Sequence, residues 1–199
     1  MPEALQAFVA DVLAARQRDP EPRAVAGFVR ERLRTLVADA TWLPDAAREG
    51  SPEHYTQHVL YVAPDRSFSV VALVWHPGQT TPIHDHVCWC VVGVYEGEES
   101  QTHYHLMDAG ADRPLVEVAR ERAARGDCSS LVPPEENIHR VSNAGHGRAI
   151  SIHVYGADIE ALGSSINQRF DDLPIRAVDG TAVPSGARRW RTQDFGTGL

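Results

Sequence analysis

Along the first fifty residues apolar side chains return every three or four positions. Leu5, Phe8, Val9, Val12 and Leu13 form one such series, and Val25, Phe28, Val29, Leu33, Leu36 and Val37 form a second. That spacing lines up one face of a helix. The run Asp19-Pro20-Glu21-Pro22 separates the two series. Residues 1–50 are therefore predicted as a pair of amphipathic α-helices packed on something larger. The pattern changes after Trp42-Leu43-Pro44. Between Tyr55 and Tyr155 the apolar runs are short, rich in Val, Ile, Thr and aromatic residues, and punctuated by Gly, Pro, Asp and Asn. Strands are predicted over residues 58–62, 68–75, 89–95, 100–106, 115–118 and 149–155. Many short strands with turn signals between them indicate a mainly β sandwich or barrel, here covering residues 51–199. Beyond Asp171 the glycines and prolines (Pro174, Gly180, Pro184, Gly186, Gly196, Gly198) predict an irregular tail.

Composition narrows the picture. With 199 residues and 43% hydrophobic content the chain can bury a core without a disulfide or structural metal. Its formal net charge of −8 speaks against nucleic acid or an anionic membrane as the main partner, since both need clustered cations. No apolar stretch approaches the length of a membrane span, and the first apolar run is broken by Glu3, Gln6, Asp11 and Arg16, so no signal peptide is expected. Three cysteines, an odd count, do not make a secreted disulfide framework. The expectation is a reduced, cytoplasmic setting.

The densest chemistry lies in Ile83-His84-Asp85-His86-Val87-Cys88-Trp89-Cys90. On a strand, residues two apart share a face, so His84 and His86 can converge on one point. A third ligand from a distant strand would complete a rigid site. His139, at the start of a short predicted strand after Pro133-Pro134-Glu135-Glu136-Asn137, fits that role. His103 and His105 make a second pair at the same spacing without a matching partner, and are expected as surface or barrel-wall residues. Ser151, His153 and Tyr155 alternate with Ile152, Val154 and Gly156, which predicts a strand with one polar face.

The arrangement Gly78, five residues, His84-x-His86, three residues, Cys90, six residues, Gly97 resembles the first motif of the cupins, and His139 with Asn143 resembles the end of the second. The fuller run ending in Ser151-Ile152-His153-Val154-Tyr155 resembles the cysteine dioxygenase family of thiol dioxygenases. That resemblance implies a jelly-roll β-barrel with an iron site of three histidines, His84, His86 and His139, because Cys90 stands where most cupins carry a ligating Glu. Three neutral imidazoles would leave positions open for substrate and dioxygen, whereas a closed zinc site uses four protein ligands. Fe(II) is the expected metal, although three histidines would also hold zinc, nickel or copper. The resemblance further implies oxidation of a small thiol by O2 to a sulfinic acid. Tyr155 would hydrogen-bond substrate or oxygen, His153 would hold Tyr155, and Ser151 would hold His153. A different three-histidine oxygenase, or a metal- or ligand-binding cupin without catalysis, is the alternative.

Three positions separate this chain from its relatives. Tyr55-Thr56 is followed by Gln57, where one branch has an arginine that pairs with the substrate carboxylate. In this the chain resembles the bacterial Gln-type branch, similar to 3-mercaptopropionate dioxygenases. That branch carries an arginine near the position of Ser164; here the candidate is Arg169. Tyr55, Gln57, Trp75 and Arg169 are therefore the candidate substrate contacts, Trp75 as a pocket-wall aromatic. Cys90, counted back from Gly97, matches a cysteine that in mammalian-like members forms a thioether with the tyrosine aligned with Tyr155. Counted forward from His86 it falls one residue early.

Overall fold

In the computed structural model, residues 1–107, 113–134 and 137–176 are described. Glu135, Glu136 and the tail from residue 177, for which irregular structure was expected, lie outside the described residues. Two helices open the chain, α1 (Glu3–Arg18) and α2 (Pro22–Ala38). Pro22 occupies the first turn of α2, where its missing N–H costs nothing. The Glu21 carboxylate caps that end by accepting the Ala24 N–H at 2.7 Å.

Eleven strands follow among the described residues: β1 (Thr56–Val62), β2 (Ser69–Trp75), β3 (His84–His86), β4 (Cys90–Glu96), β5 (Glu98–Leu106), β6 (Leu115–Ala124), β7 (Cys128–Leu131), β8 (His139–Asn143), β9 (Ala149–Tyr155), β10 (Ile166–Arg169) and β11 (Ile175–Arg176). They form two sheets, ordered β1-β2-β9-β4-β7 and β10-β3-β8-β5-β6-β11. The fold is mainly β with two N-terminal helices, as the periodicities indicated, and is the cupin barrel that the resemblance implied. Three short strands, β7, β10 and β11, were not anticipated; each has two to four residues, too few for alternation to register. β6 runs six residues beyond the predicted 115–118 because its exposed outer half is charged rather than apolar. β11, at the start of the expected irregular tail, pairs in parallel with β6.

The five-stranded sheet is covered on both faces. Val70, Ala72 and Val74 of β2, Val91 of β4, and Ile150, Ile152 and Val154 of β9 join one apolar cluster with Val29, Leu33 and Val37 of α2. The alternate residues Val71, Leu73 and Trp75, Cys90 and Val92, and Tyr155 face the barrel interior. This is why β2 and β9 are buried along their whole length while still obeying the period of two. α2 comes close to β4 at Gly93, where an added Cβ would stand 3.0 Å from Leu33 side-chain carbons and from the Cys128 Sγ. Gly97 turns β4 into β5 with φ +75°, and a Cβ there would meet the Arg148 carbonyl oxygen at 2.7 Å.

Leu33 is fully buried between α2 and the sheet. Leu33→Ala is expected to cost about 2–5 kcal/mol of unfolding free energy, read from denaturant midpoints at unchanged slope. A loss well below that range would show that the helices contribute little to the barrel.

Candidate metal centre

β3 is only three residues long, and its alternation sends His84 and His86 inward and Asp85 outward. β8 lies antiparallel beside it with His139 directly opposite His84. Three imidazoles from two strands thus meet on one face. Their ring centroids form a near-equilateral triangle of 4.8, 4.8 and 4.9 Å. All three are buried, and one ligand nitrogen from each lies within 4.8 Å of the others. The His84 and His86 Nε2 atoms are 3.3 Å apart. Two nitrogens in adjacent positions on a first-row ion, each about 2.1 Å from it, would be separated by about 3 Å.

The surroundings fit a cation. The Nδ1–H of His84 donates to the Pro82 carbonyl at 2.9 Å, which fixes the tautomer and presents a bare Nε2. Neither ring nitrogen of His139 has a hydrogen-bond partner among the described residues, although the side chain is buried. An orphaned buried imidazole needs an explanation, and a metal supplies it. Burial lowers the pKa of all three histidines, and for His86 and His139 their neighbouring imidazoles add to the effect. Neutral imidazole is the form that binds metal. Asn137 supports the cluster by accepting the His86 backbone N–H at 2.6 Å.

A cavity of about 410 Å³, counting its open mouth, lies against this cluster. His84, His86, His153 and Tyr155 form its polar floor, Leu73 and Val141 its apolar side, and Tyr55, Gln57, Ser164 and Ser165 its rim. Among the described residues no arginine or lysine lines it. Tyr55 and Gln57 are thus at the cavity as expected. Trp75 stands behind it, stacked on Tyr55 with ring centroids 4.7 Å apart. Arg169 is exposed, sits opposite His84 in the β10–β3 pairing and does not line the cavity. Asp85 ties the rim down from outside: its carboxylate accepts the Gln168 N–H at 2.7 Å and the Asn167 side-chain amide at 3.2 Å.

Ser151, His153 and Tyr155 form a continuous row on β9. The Ser151 hydroxyl lies 3.0 Å from His153 Nε2, and the Tyr155 hydroxyl lies 3.1 Å from His153 Nδ1. Trp75 Nε1–H donates to Ser151 at 3.2 Å. Burial drives the His153 pKa down to about 3, so the imidazole between the two hydroxyls is uncharged. Burial raises that of Tyr155, with the Cys90 thiol adding to the effect, so the phenol keeps its proton. Cys90 is the direct cross-strand neighbour of Tyr155, and its Sγ is 3.9 Å from His153 Nδ1. Cys88 is half-buried and Cys128 buried, and both carry ordinary thiols, with pKa values pushed up to about 11 and about 12 by burial.

Sequence reading missed part of this interior. His103 is not at the surface: it sits opposite His139 on β5, with ring centroids 6.2 Å apart. Glu99 and Gln101 point the same way and are buried. The signal was available, since Glu99, Gln101 and His103 alternate along a strand, but the helices that exclude solvent from the opposite sheet cannot be seen in that alternation. Asn137 and Ser165 carried no local signal at all.

The class defined by this geometry is a cupin barrel with a three-histidine metal centre facing a small polar cavity. Residues 45–164, more than half of the chain, match the family cysteine dioxygenase type I, and the chain belongs to that family. Among solved structures it is similar to a conserved protein with a double-stranded β-helix domain from Klebsiella pneumoniae (21% identity, 57% of this chain and 86% of that one, TM-score 0.43). It is also similar to a cupin superfamily protein from Desulfitobacterium hafniense (14%, 58% and 90%, TM-score 0.43) and to oxalate oxidase in complex with glycolate (18%, 60% and 61%, TM-score 0.45). No helix among the described residues is long and apolar enough to cross a membrane.

The buried neutral histidines make the metal-free protein sensitive to acid. A folded-state pKa of about 3 for His153 and about 4 for His103, against about 6.5 when unfolded, means that only the unfolded chain takes up protons between these values. Their contribution to stability is complete above about pH 6.5 and is lost as pH falls through the folded values. The thermal midpoint of metal-free protein should therefore drop steadily from about pH 6.5 to about pH 4, and His153→Gln should blunt the drop. A midpoint that is flat across that window would contradict the assignment of neutral buried imidazoles.

Proposed function

We propose that this chain is an Fe(II)-dependent thiol dioxygenase. It would add both atoms of O2 to the sulfur of a small carboxylate-bearing thiol, such as cysteine or 3-mercaptopropionate, and release a sulfinic acid. The observation that carries this reading is the shared cavity: His84 and His86 of the three-histidine cluster and His153 and Tyr155 of the β9 row line the same space. The family assignment supports a metal-dependent dioxygenase, and a cluster with no carboxylate or thiolate ligand among the described residues favours Fe(II) with open positions over a closed zinc site. When bound, the iron would lower the pKa of the thiol and supply the electrons that activate dioxygen.

The chain's own residues bind and orient. His84, His86 and His139 would hold the metal. The Tyr155 hydroxyl, fixed by His153, is directed at the reacting end and can donate to an oxygen or to the substrate. His153 in turn is held by Ser151, and Ser151 by the Trp75 indole. At the rim, Gln57, Ser164 and Ser165 are neutral donors that would receive the substrate carboxylate. With no cationic side chain among the described residues on the cavity wall, this anchoring would be by hydrogen bonds. Arg169 could act on the carboxylate only from outside the cavity. Cys90, beside Tyr155, would take a catalytic part through a thioether to that ring, a two-electron oxidation that removes one hydrogen from each partner with O2 as the acceptor. Three free cysteines and an acidic surface are consistent with a cytoplasmic enzyme acting on small molecules.

Protein loaded anaerobically with Fe(II) should consume oxygen with at least one of cysteine, 3-mercaptopropionate, mercaptosuccinate or cysteamine. If iron-loaded protein takes up no oxygen with any of them, the proposal is lost. His139→Ala should lose both iron and turnover. Tyr155→Phe should keep its iron while kcat falls by about 10–100-fold, and full activity in that variant would remove Tyr155 from the mechanism. Intact mass under reducing conditions tests the thioether: the chain should weigh a pair of hydrogens less than its sequence, and a full sequence mass would exclude the link.

A further inference from the structure

Glu99 is the least expected side chain in the barrel. It lies on β5 with no exposed surface, between Ala123 of β6 and Asn143 of β8. Neither carboxylate oxygen has a hydrogen-bond partner in good geometry among the described residues. A carboxyl in that position costs stability and needs a reason. The groups that favour its ionised form are the Ser151 hydroxyl and the Trp75 indole, reaching across from the opposite sheet.

The hydrogen-bond inventory of Ser151 explains the placement. A serine hydroxyl accepts twice and donates once. Ser151 accepts from Trp75 Nε1–H, and it accepts from His153 Nε2–H when the Tyr155 hydroxyl donates to His153 Nδ1. Its own hydrogen is then left over, and Glu99 is the acceptor on that side. The row does not end at Ser151: it runs from the cavity, where Tyr155 is part of the wall, to a carboxylate with no route to solvent through its own surface.

We propose that Glu99 stores the proton released by the thiol substrate, received along Tyr155, His153 and Ser151. The inference rests on the thiol dioxygenase reading. Each group passes on one hydrogen as it gains another. The S–H bond breaks and its proton goes to the Tyr155 oxygen; the phenolic hydrogen goes to His153 Nδ1; the hydrogen on His153 Nε2 goes to Ser151 Oγ; the Ser151 hydrogen goes to Glu99. The outcome is a thiolate in the cavity and a neutral carboxyl at Glu99, with no electron transferred. His153 changes tautomer and never becomes imidazolium, which its burial forbids. Glu99 acts through Ser151 and does not touch substrate.

The local electrostatics suit the role. Burial raises the Glu99 pKa to about 7, against the lowering effect of Ser151 and Trp75. The carboxyl is thus poised to hold or release a proton near neutrality. The other ionisable groups on this interior face are His103 on the same strand, Glu121 on β6 (3.8 Å from His103), His139 on β8, His153 on β9 and Cys90 on β4. None of them is among the causes of the Glu99 shift.

Glu99→Gln keeps the shape and removes the proton store. In metal-free protein the infrared spectrum should show a protonated-carboxyl band that titrates at about pH 7 and is missing from Glu99→Gln; a spectrum without such a band, or one unchanged in the variant, overturns the proposal. Because a carboxyl with a raised pKa costs stability once ionised, Glu99→Gln should also unfold later than wild type at mildly alkaline pH, which guards against simple misfolding. In Fe(II)-loaded protein mixed anaerobically with 3-mercaptopropionate or cysteine at mildly alkaline pH, an indicator dye should report little net proton release from wild type and release of the whole thiol proton from Glu99→Gln and Ser151→Ala. Turnover in Glu99→Gln should fall by about 10–100-fold with a changed pH profile. Equal proton release in wild type and Glu99→Gln, with oxygen uptake intact in wild type, removes the relay alone. Absence of thiol-dependent oxygen uptake in wild type removes the dioxygenase reading and the relay together.

Discussion

The constraint on which the interior depends is that β9 has no face in contact with water. Ile150, Ile152 and Val154 lie under the helices, and Ser151, His153 and Tyr155 point into the barrel. Polar atoms so placed must find partners among themselves or forfeit the free energy of their hydration. The outcome is one directional chain of hydrogen bonds in which each side chain fixes the next. α2 is therefore more than a cap. By closing the outer face of β9 and β4 it keeps their inner face dry, and the dryness keeps His153 neutral and Tyr155 protonated.

The metal centre rests on a second constraint, the shortness of β3. A three-residue strand presents two inward side chains and no more, so the third ligand must come from its neighbour. The antiparallel pairing of His84 with His139 supplies it at the one register that brings the imidazoles together. A slip of one residue in β8 would present Arg140 instead. The backbone contact from His86 to Asn137 and that from Val141 N–H to Thr81, at 3.0 Å, hold this register on either side of the cluster.

Much of this was legible in the order of residues. Helical periodicity before residue 38 and alternation after residue 55 were strong because both elements bury one continuous stripe. The ligand set was legible because two histidines at a spacing of two on an extended chain can point only one way. The rest depends on what lies across space. Nothing local to Glu99 or His103 says that water is excluded from both sides of the opposing sheet, and Arg169 looked like a substrate contact until the β10–β3 pairing placed it outside the cavity. Trp75 illustrates the same limit. The resemblance implied a wall, whereas its indole N–H, invisible to hydropathy, gives it a place behind the wall as a donor to Ser151.

Asp85, the outward residue between the two ligating histidines, joins two parts of the site that could have been independent. Its carboxylate holds the strand that follows Ser164 and Ser165, and the Val87 N–H binds the Ser165 carbonyl at 3.1 Å. The rim of the cavity and the first two metal ligands are thereby one mechanical piece. A bulkier guest could not push the rim aside without also rotating the strand that aims the imidazoles. Size selection in such a site would be enforced through the coordination geometry, with an oversized guest penalised by a misaligned metal rather than by a collision with the wall.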